Sequence, residues 1–205
     1  LIRAAFSILS EEGHKNLRVD INSIGDKDSI ALYERELAGY VRKFGGSLSA
    51  ELKESLREDP WNIFRREEEE IIQLRAGAPS SLAHLTSASR LHFKEVLEYL
   101  ESLGVDFRLS PELVGEKHHC SHVIFAIKGL DNENERVLAV GYRYSRLGKK
   151  LGLKKEIPMA GVSIFSGVKD AARRIYRQLP KPKFYLVQLG REAKMKTLTL
   201  IENLR

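Results

Sequence analysis

The chain has 205 residues, of which 42% are hydrophobic and 30% charged, so it is long enough to bury the core of one sizeable domain. Its apolar runs are shorter than the roughly 18 residues of a transmembrane helix, and its single cysteine excludes an internal disulfide, so we expect a cytoplasmic protein without membrane contact. The net charge of +6 conceals a basic region at residues 141–205, where 16 Lys or Arg outnumber 4 Asp or Glu, and this asymmetry favours a polyanionic partner such as RNA.

The first part of the sequence alternates between helical and extended patterns. Apolar residues at helical spacing predict a helix that begins near Ile2 and stops at Gly13. The stretch 17–26 alternates as a strand. Asp26 is suited to cap a second helix, which the glycine pair beginning at Gly45 ends.

The middle of the sequence is mainly helical. We expect residues 44–86 to form a helical insertion in which the charge run Arg65–Glu70 is a solvated face. A clearer amphipathic helix follows. Ser87 or Ser89 is its predicted N-cap, and Gly104 closes it.

The second half of the sequence is dominated by strand patterns. Residues 105–109 alternate as a short strand, and the runs 118–129 and 136–144 read as an antiparallel hairpin because only a short turn-rich link joins them. MAGVSIFSG (159–167) is a further strand that leads into a helix. FYLVQLG (184–190) is predicted to be a buried strand before one last helix. The sequence therefore predicts an α+β fold with a mainly antiparallel sheet flanked by helices, followed by the first β-α unit of a second α/β domain.

The order of these segments resembles the histidyl-tRNA synthetase family of class II aminoacyl-tRNA synthetases. Five stretches carry the resemblance, in order: the segment after motif 2 (21–41), the helix and strand before the histidine-binding motif (77–114), the A-G-G-R-Y-D-x-L segment (137–152), motif 3 (159–167) and the start of the anticodon-binding domain (183–205). The resemblance implies that residues 1–180 are the C-terminal half of a catalytic core and that residues 181–205 begin an anticodon-binding-like domain. Motifs 1 and 2 would lie upstream of Leu1.

The residues at the family's catalytic positions depart from its motifs. When ELVGEKHHCSHVIF is aligned with R-L-V-R-G-L-D-Y-Y-T-K-T-V-F, Gly115 takes the place of the catalytic Arg and His118 that of the Asp, while His119 and Cys120 replace the two Tyr. Val168 takes the place of the motif 3 Arg. Such enzymes need fixed cations where negative charge develops on the α-phosphate of ATP, so the resemblance implies that no catalytic residue is retained.

A second motif of the family is partly retained in this sequence. Gly141, Arg143 and Tyr144 match the family's G-R-Y positions, and we interpret them as the remnant of a substrate pocket. Tyr142 replaces a Gly where close backbone approach is expected, and Ser145 replaces the Asp. A bulky Tyr142 would narrow any pocket.

The stretch GEKHHCSH, residues 115–122, admits three interpretations. On a regular strand, His118, Cys120 and His122 would share one face and could hold zinc, although the outer two Cα atoms would be roughly 13 Å apart and a fourth ligand or a bulge would be needed. A Cys–His nucleophile pair is a weaker reading because adjacent strand residues face apart. The favoured reading is a degenerate pocket with no metal and no catalytic role.

Two functions follow. The first is a non-catalytic synthetase-like module that binds tRNA or another RNA or acts as a regulatory subunit, with a homodimer or a synthetase-like subunit as a further possible partner. The second is the downstream part of a divergent, active histidine–tRNA ligase, which alone would need ATP and Mg²⁺ and would have to use Lys117 and Lys169 as substitute cations. The basic residues expected to meet an RNA backbone are Lys149, Lys150, Lys154, Lys155, Arg173, Arg174 and Arg177.

Overall fold

The computed structural model describes residues 1–131, 134–165 and 185–203. Its helices are α1 (Ile2–Glu11), α2 (Lys27–Phe44), α3 (Ala50–Glu58), α4 (Glu69–Ala76), α5 (Ser87–Ser102), α6 (Leu147–Lys150) and α7 (Gly190–Asn203). Its strands are β1 (Arg18–Gly25), β2 (Phe107–Leu109), β3 (Ser121–Asp131), β4 (Asn134–Arg143) and β5 (Ala160–Ile164). None of the helices within these ranges is long and apolar enough to cross a membrane.

The five strands form one sheet in the order β2-β1-β3-β4-β5. Only β1 and β2 are parallel, and the other pairs are antiparallel. Ile21 on β1 pairs with Phe125 on β3, and Phe125 pairs in turn with Gly141 on β4. The predicted α+β class, the mainly antiparallel sheet and the β3–β4 hairpin are therefore confirmed.

Each face of the sheet covers a separate apolar core. On one face, Val19, Ile21 and Phe125 pack against α1 and α5. On the other face, Ile24 and Ile124 pack against α2 and the helices of the 44–86 region. Because side chains alternate along a strand, neighbouring residues enter different cores.

The 44–86 region is helical, as predicted, and has its own apolar centre. α3 and α4 are joined through a short 3-10 turn at Pro60–Phe64. Trp61 in this turn is fully buried against Tyr33 of α2, with the ring centroids 5.3 Å apart and the rings nearly perpendicular. This edge-to-face contact fixes the region on α2.

The predicted start of β3 was wrong. Residues 117–119 form a turn that is closed by the carbonyl oxygen of Glu116, which accepts from the backbone N–H of His119 (3.2 Å) and of Cys120 (2.8 Å). The strand begins at Ser121, so a single strand does not carry the whole GEKHHCSH stretch.

Two further predictions need correction. The N-cap of α5 is Thr86 rather than Ser87 or Ser89, since its hydroxyl oxygen accepts from the backbone N–H of Ser89 at 3.2 Å. Residues 185–189 have no strand pairing, and a strand needs a neighbour to satisfy its backbone groups. The last helix is present as α7 and lies against α5, where Thr199 donates to the carbonyl oxygen of Ser102 at 3.4 Å.

A buried carboxylate ties the β2 edge of the sheet together. Asp20 on β1 is 2% exposed and accepts from Lys128 (2.8 Å), Arg108 (2.9 Å) and Arg18 (3.1 Å). Burial alone would raise the pKa of Asp20, but these charged hydrogen bonds outweigh it and lower the pKa to about 2. The carboxylate therefore stays charged in the folded protein at pH values where the unfolded chain takes up a proton.

We predict that Asp20→Asn lowers the free energy of unfolding by about 2 kcal/mol at pH 7, because it leaves three cations around a neutral amide. The ordinary pKa of 3.8 applies to the unfolded chain. The folded pKa is the lower one, so the contribution of Asp20 is complete above about pH 4 and is lost as the pH falls towards 2. In urea denaturation, the difference in free energy of unfolding between wild type and Asp20→Asn should be smaller at pH 3 than at pH 7. Glu135→Gln, which changes an exposed member of the same network, should cost less at pH 7. An equal loss in both variants at pH 7 would contradict this account.

Candidate functional site

The residues that precede β3 are held against the sheet by a buried amide. Asn22 of β1 is fully buried, and its Nδ2 donates to the carbonyl oxygens of Leu113 (3.0 Å) and Pro111 (3.2 Å). Ser81 binds the same side chain from the 44–86 region. This contact sets the path of the chain as it enters Gly115.

A second anchor lies two residues beyond Gly115. Lys117 forms ion pairs with Glu34 on α2 and with Asp59, the latter at 2.9 Å, and only 13% of its side chain is exposed. Burial alone would lower the pKa of Lys117, but its hydrogen bonds to Glu34 and Asp59 outweigh burial and raise it. Lys117 is therefore a charged but fully engaged side chain.

Between these two anchors, Gly115 lies in a closed space. A Cβ atom built on Gly115 would be 3.0 Å from Sγ of Cys120, and 3.2 Å from both Cδ1 of Ile124 and Cδ1 of Tyr142. These distances are shorter than ordinary van der Waals contacts between carbon atoms. The position that we align with the family's catalytic arginine is thus enclosed by an apolar cluster, and even a Cβ atom there would be in tight contact.

The polar atoms of this cluster are kept neutral. Burial raises the pKa of the Cys120 thiol to about 11, and burial also raises the pKa of the Tyr142 hydroxyl. A thiol must ionise to act as a nucleophile or metal ligand. Cys120 therefore behaves as a small core residue rather than a reactive one.

The three residues that we interpreted as a pocket remnant lie on both faces of the sheet. Tyr144 shares a face with Tyr142, 6.5 Å away between ring centroids, and its hydroxyl would lie 2.3 Å from a Cβ on Gly161. Arg143 projects from the opposite face, where its Nη1 lies 2.6 Å from Nε2 of His92. Gly141 is on the Arg143 side, covered by Phe125. The structure does not bring these three residues to one site.

The histidines of GEKHHCSH are also separated. His118 is exposed in the turn, whereas Cys120 is buried and His122 lies at the start of β3 with a positive φ of 53°. The bulge at His122 removes the regular alternation on which a shared metal-binding face depended. Within the part of the chain that the structure describes, no three His, Cys, Asp or Glu side chains are grouped as metal ligands.

Part of the predicted basic surface is visible. Lys149, Lys150, Lys154 and Lys155 are all exposed, on α6 and the segment after it. Within the described residues, only Lys149 of these four pairs with an acid, Glu156, at 3.2 Å. The remaining predicted contacts, Arg173, Arg174 and Arg177, lie outside the described residues. Val168, which we align with the motif 3 arginine, and Lys169 also lie outside the described residues.

Comparisons with known proteins indicate which class of proteins shares this architecture. No family model matches the chain. The crystal structure of apo Staphylococcus aureus histidyl-tRNA synthetase superposes with a TM-score of 0.64 at 20% identity, over 99% of this chain and 50% of that one. The fold is therefore that of a class II aminoacyl-tRNA synthetase core.

Proteins with similar amino-acid sequences narrow the class to a family. The chain is 32% identical to histidine–tRNA ligase from Synechococcus elongatus and 28% identical to that from Wolbachia pipientis, each over 100% of its length. It spans about half the length of the curated relatives that it matches, 47% and 50% of these two. The chain is histidyl-tRNA synthetase-like, and it is related to that family along its whole length.

Sequence reasoning missed three residues that shape this region. Asn22 lies on the polar side of the predicted alternation of β1, so the strand pattern gave no sign that its amide is buried and bonded to Leu113 and Pro111. Lys117 was considered only as a substitute cation, because its partners Glu34 and Asp59 are 83 and 58 residues away in sequence. His92 gave no signal, since one histidine on an amphipathic helix is unremarkable.

The closed space predicts the effect of enlarging Gly115. Gly115→Ala should lower the free energy of unfolding by about 1 kcal/mol, and Gly115→Arg, which restores the family's residue, by about 3 kcal/mol, because both overpack the cluster. Gly39→Ala is the matched control: nothing lies within 4 Å of its Cβ, so it should raise stability by up to about 1 kcal/mol within α2. Chemical denaturation measures the free energy of unfolding of all three variants. A Gly115→Arg protein as stable as wild type would mean that the site is open.

Proposed function

We propose that this region is a histidyl-tRNA synthetase-like module that does not carry ligase chemistry in its own residues and that contacts tRNA through its basic C-terminal third. The observation on which this rests most heavily is the apolar closure around Gly115. Transfer of an amino acid to ATP needs fixed positive charge at the α-phosphate. In this chain the residue that we align with the catalytic arginine is Gly115, which carries no charge and is enclosed by apolar side chains.

The charge distribution supports an RNA partner. The relatives of this chain are named as histidine–tRNA ligases, so tRNA is the first polyanion to consider. The four exposed lysines of the α6 region have the freedom to reach phosphates, since only Lys149 pairs with an acid within the described residues. Exposed Leu151 and Leu153 lie between them and would add apolar contacts to an RNA surface.

A charge-reversal series tests the RNA contact. The quadruple variant with Lys149, Lys150, Lys154 and Lys155 changed to Glu should bind tRNA at least tenfold more weakly at 100 mM KCl. Its affinity should also depend less steeply on salt, because fewer counterions are released on binding. Electrophoretic mobility shift at several salt concentrations measures both quantities.

A matched control separates local contact from net charge. Lys27 and Lys43 are exposed on α2, and changing both to Glu alters the net charge by as much as changing Lys154 and Lys155 to Glu. The α2 double variant should keep its tRNA affinity within twofold of wild type, whereas the Lys154 and Lys155 double variant should bind tRNA more weakly. Wild-type binding that does not respond to salt would contradict phosphate contacts. Equal losses in the two double variants would contradict the assignment to the α6 region.

The second candidate is the downstream part of an active ligase, and the 32% identity over the whole chain favours it. Such an enzyme needs substitutes for the missing arginines. Lys117 is a poor one, since its ammonium group is already paired with Glu34 and Asp59. Moving it to a phosphate would leave Glu34 without a cation among the described residues and Asp59 with Arg65 alone.

Histidine-dependent exchange of pyrophosphate into ATP separates the two candidates. We expect no exchange above background from the chain supplied with histidine, ATP and Mg²⁺, alone or together with the N-terminal half of a ligase that supplies motifs 1 and 2. The same N-terminal half paired with its own C-terminal half is the positive control. Exchange that the Lys117→Ala variant abolishes would establish the ligase reading instead.

A further inference from the structure

Three polar side chains meet on the face of the sheet opposite Gly115. Nη1 of Arg143 is 2.6 Å from Nε2 of His92, and the ring of His122 lies 5.0 Å from the ring of His92 between centroids. His92 and Arg143 line a cavity of about 350 Å³, which Arg3 also borders. Its walls are otherwise mainly apolar and include Phe125, so the cavity has a polar end and a hydrocarbon-lined body.

The hydrogen-bond pattern of this cluster is incomplete. A guanidinium only donates, so Nε2 of His92 must accept from Arg143, and the proton of the neutral ring is on Nδ1. That Nδ1–H is buried and has no acceptor among the described residues, and Nδ1 of His122 is also buried without a partner. A buried polar atom without a partner costs about 1–3 kcal/mol. Among the described residues, the donors of the cluster that remain free for an acceptor in the cavity are those of Arg143.

The charge of the cluster defines that acceptor. Burial and the positive charge of Arg143 lower the pKa of His92, with a small opposing effect of Glu95, and they lower the pKa of His122 to about 4 against the opposing effects of Asp26 and Glu156. Both rings are thus neutral near pH 7, and Arg143 is the cation of the cluster. The other N–H groups of its guanidinium make no hydrogen bond to the described residues.

We propose that this cluster binds the carboxylate of a small apolar acid, with the Arg143 guanidinium donating to the carboxylate oxygens and His92 holding the guanidinium in place. A planar carboxylate matches the planar edge of a guanidinium, and its single charge matches that of Arg143. The volume is near the lower end of small-molecule sites and suits an acid of about ten non-hydrogen atoms. The site is separate from the family's substrate pocket, because Arg143 and Tyr144 project to opposite faces, and it does not depend on RNA binding.

Phenylacetate and phenylacetamide are a matched pair of probes for this site, since they differ in charge but hardly in shape. In isothermal titration of the whole chain at pH 7, we expect phenylacetate to bind with a dissociation constant of about 1 mM or tighter and the amide at least tenfold more weakly. No saturable binding of phenylacetate, or equal binding of the two probes, would overturn the proposal.

Two variants locate the binding. Arg143→Gln and His92→Leu should each weaken phenylacetate binding at least fivefold, while His118→Leu, which makes the same change in the exposed turn, should leave it unchanged. In long-range ¹H–¹⁵N spectra of the wild-type histidine rings, His92 should show a protonated Nδ1 whose resonance moves on addition of phenylacetate. Because the spectra are recorded on the wild-type protein, this measurement does not depend on whether the variants fold. An unmoved His92 resonance at saturation, or unchanged affinity in folded variants, would overturn the assignment.

Discussion

The alternation of side chains across the β3–β4 pair is the constraint from which the character of the site follows. Ile124 pairs with Tyr142, and Phe125 pairs with Gly141, so each pair sends its side chains to one face. Tyr142 therefore packs against Gly115, whereas Arg143 lies on the other face and contacts His92 of α5. No rearrangement short of a register shift of β4 could return Arg143 to the Gly115 side, and such a shift would also turn Tyr142 away from Gly115.

This constraint makes the packing at the two positions interdependent. Tyr142 occupies the space beside Gly115, which has no side chain to fill it. Cys120 and Ile124 complete the apolar contact. Asn22 and Lys117 fix the backbone on either side, so the closed form is supported by buried hydrogen bonds and ion pairs as well as by packing. The neighbours of Gly115, namely Cys120, Ile124 and Tyr142, belong to the apolar core on the α2 side of the sheet.

Much of the fold followed from sequence patterns. Apolar periodicity located α1, α2 and α5, and the short link between two alternating runs identified the β3–β4 hairpin. The start of β3 could not be predicted in this way, because a turn closed by the carbonyl oxygen of Glu116 leaves no hydrophobic pattern. The strand proposed at residues 184–190 failed over 185–189 because an apolar run does not by itself supply a pairing partner.

The site was harder to predict than the fold. Alignment to the family's motifs indicated which residues had been replaced, and alternation alone already implied that Arg143 and Tyr144 face apart. The contacts of Lys117 with Glu34 and Asp59, and of Arg143 with His92, join residues more than 50 positions apart in sequence. Such pairs depend on how the helices dock on the sheet, and no local pattern in one sequence reports this.

The accessibility of Cys120 tests the closed site most directly, because it is the only cysteine of the chain and lies against Gly115 where the family has a tyrosine. Its reaction with an aromatic disulfide reagent can be followed by absorbance at pH 8, under native conditions and in urea. The closed site predicts labelling at least a thousandfold slower in the native protein, at a rate limited by unfolding, and unaffected by histidine and ATP. Rapid native labelling that histidine and ATP slow would contradict the account and show an open substrate pocket.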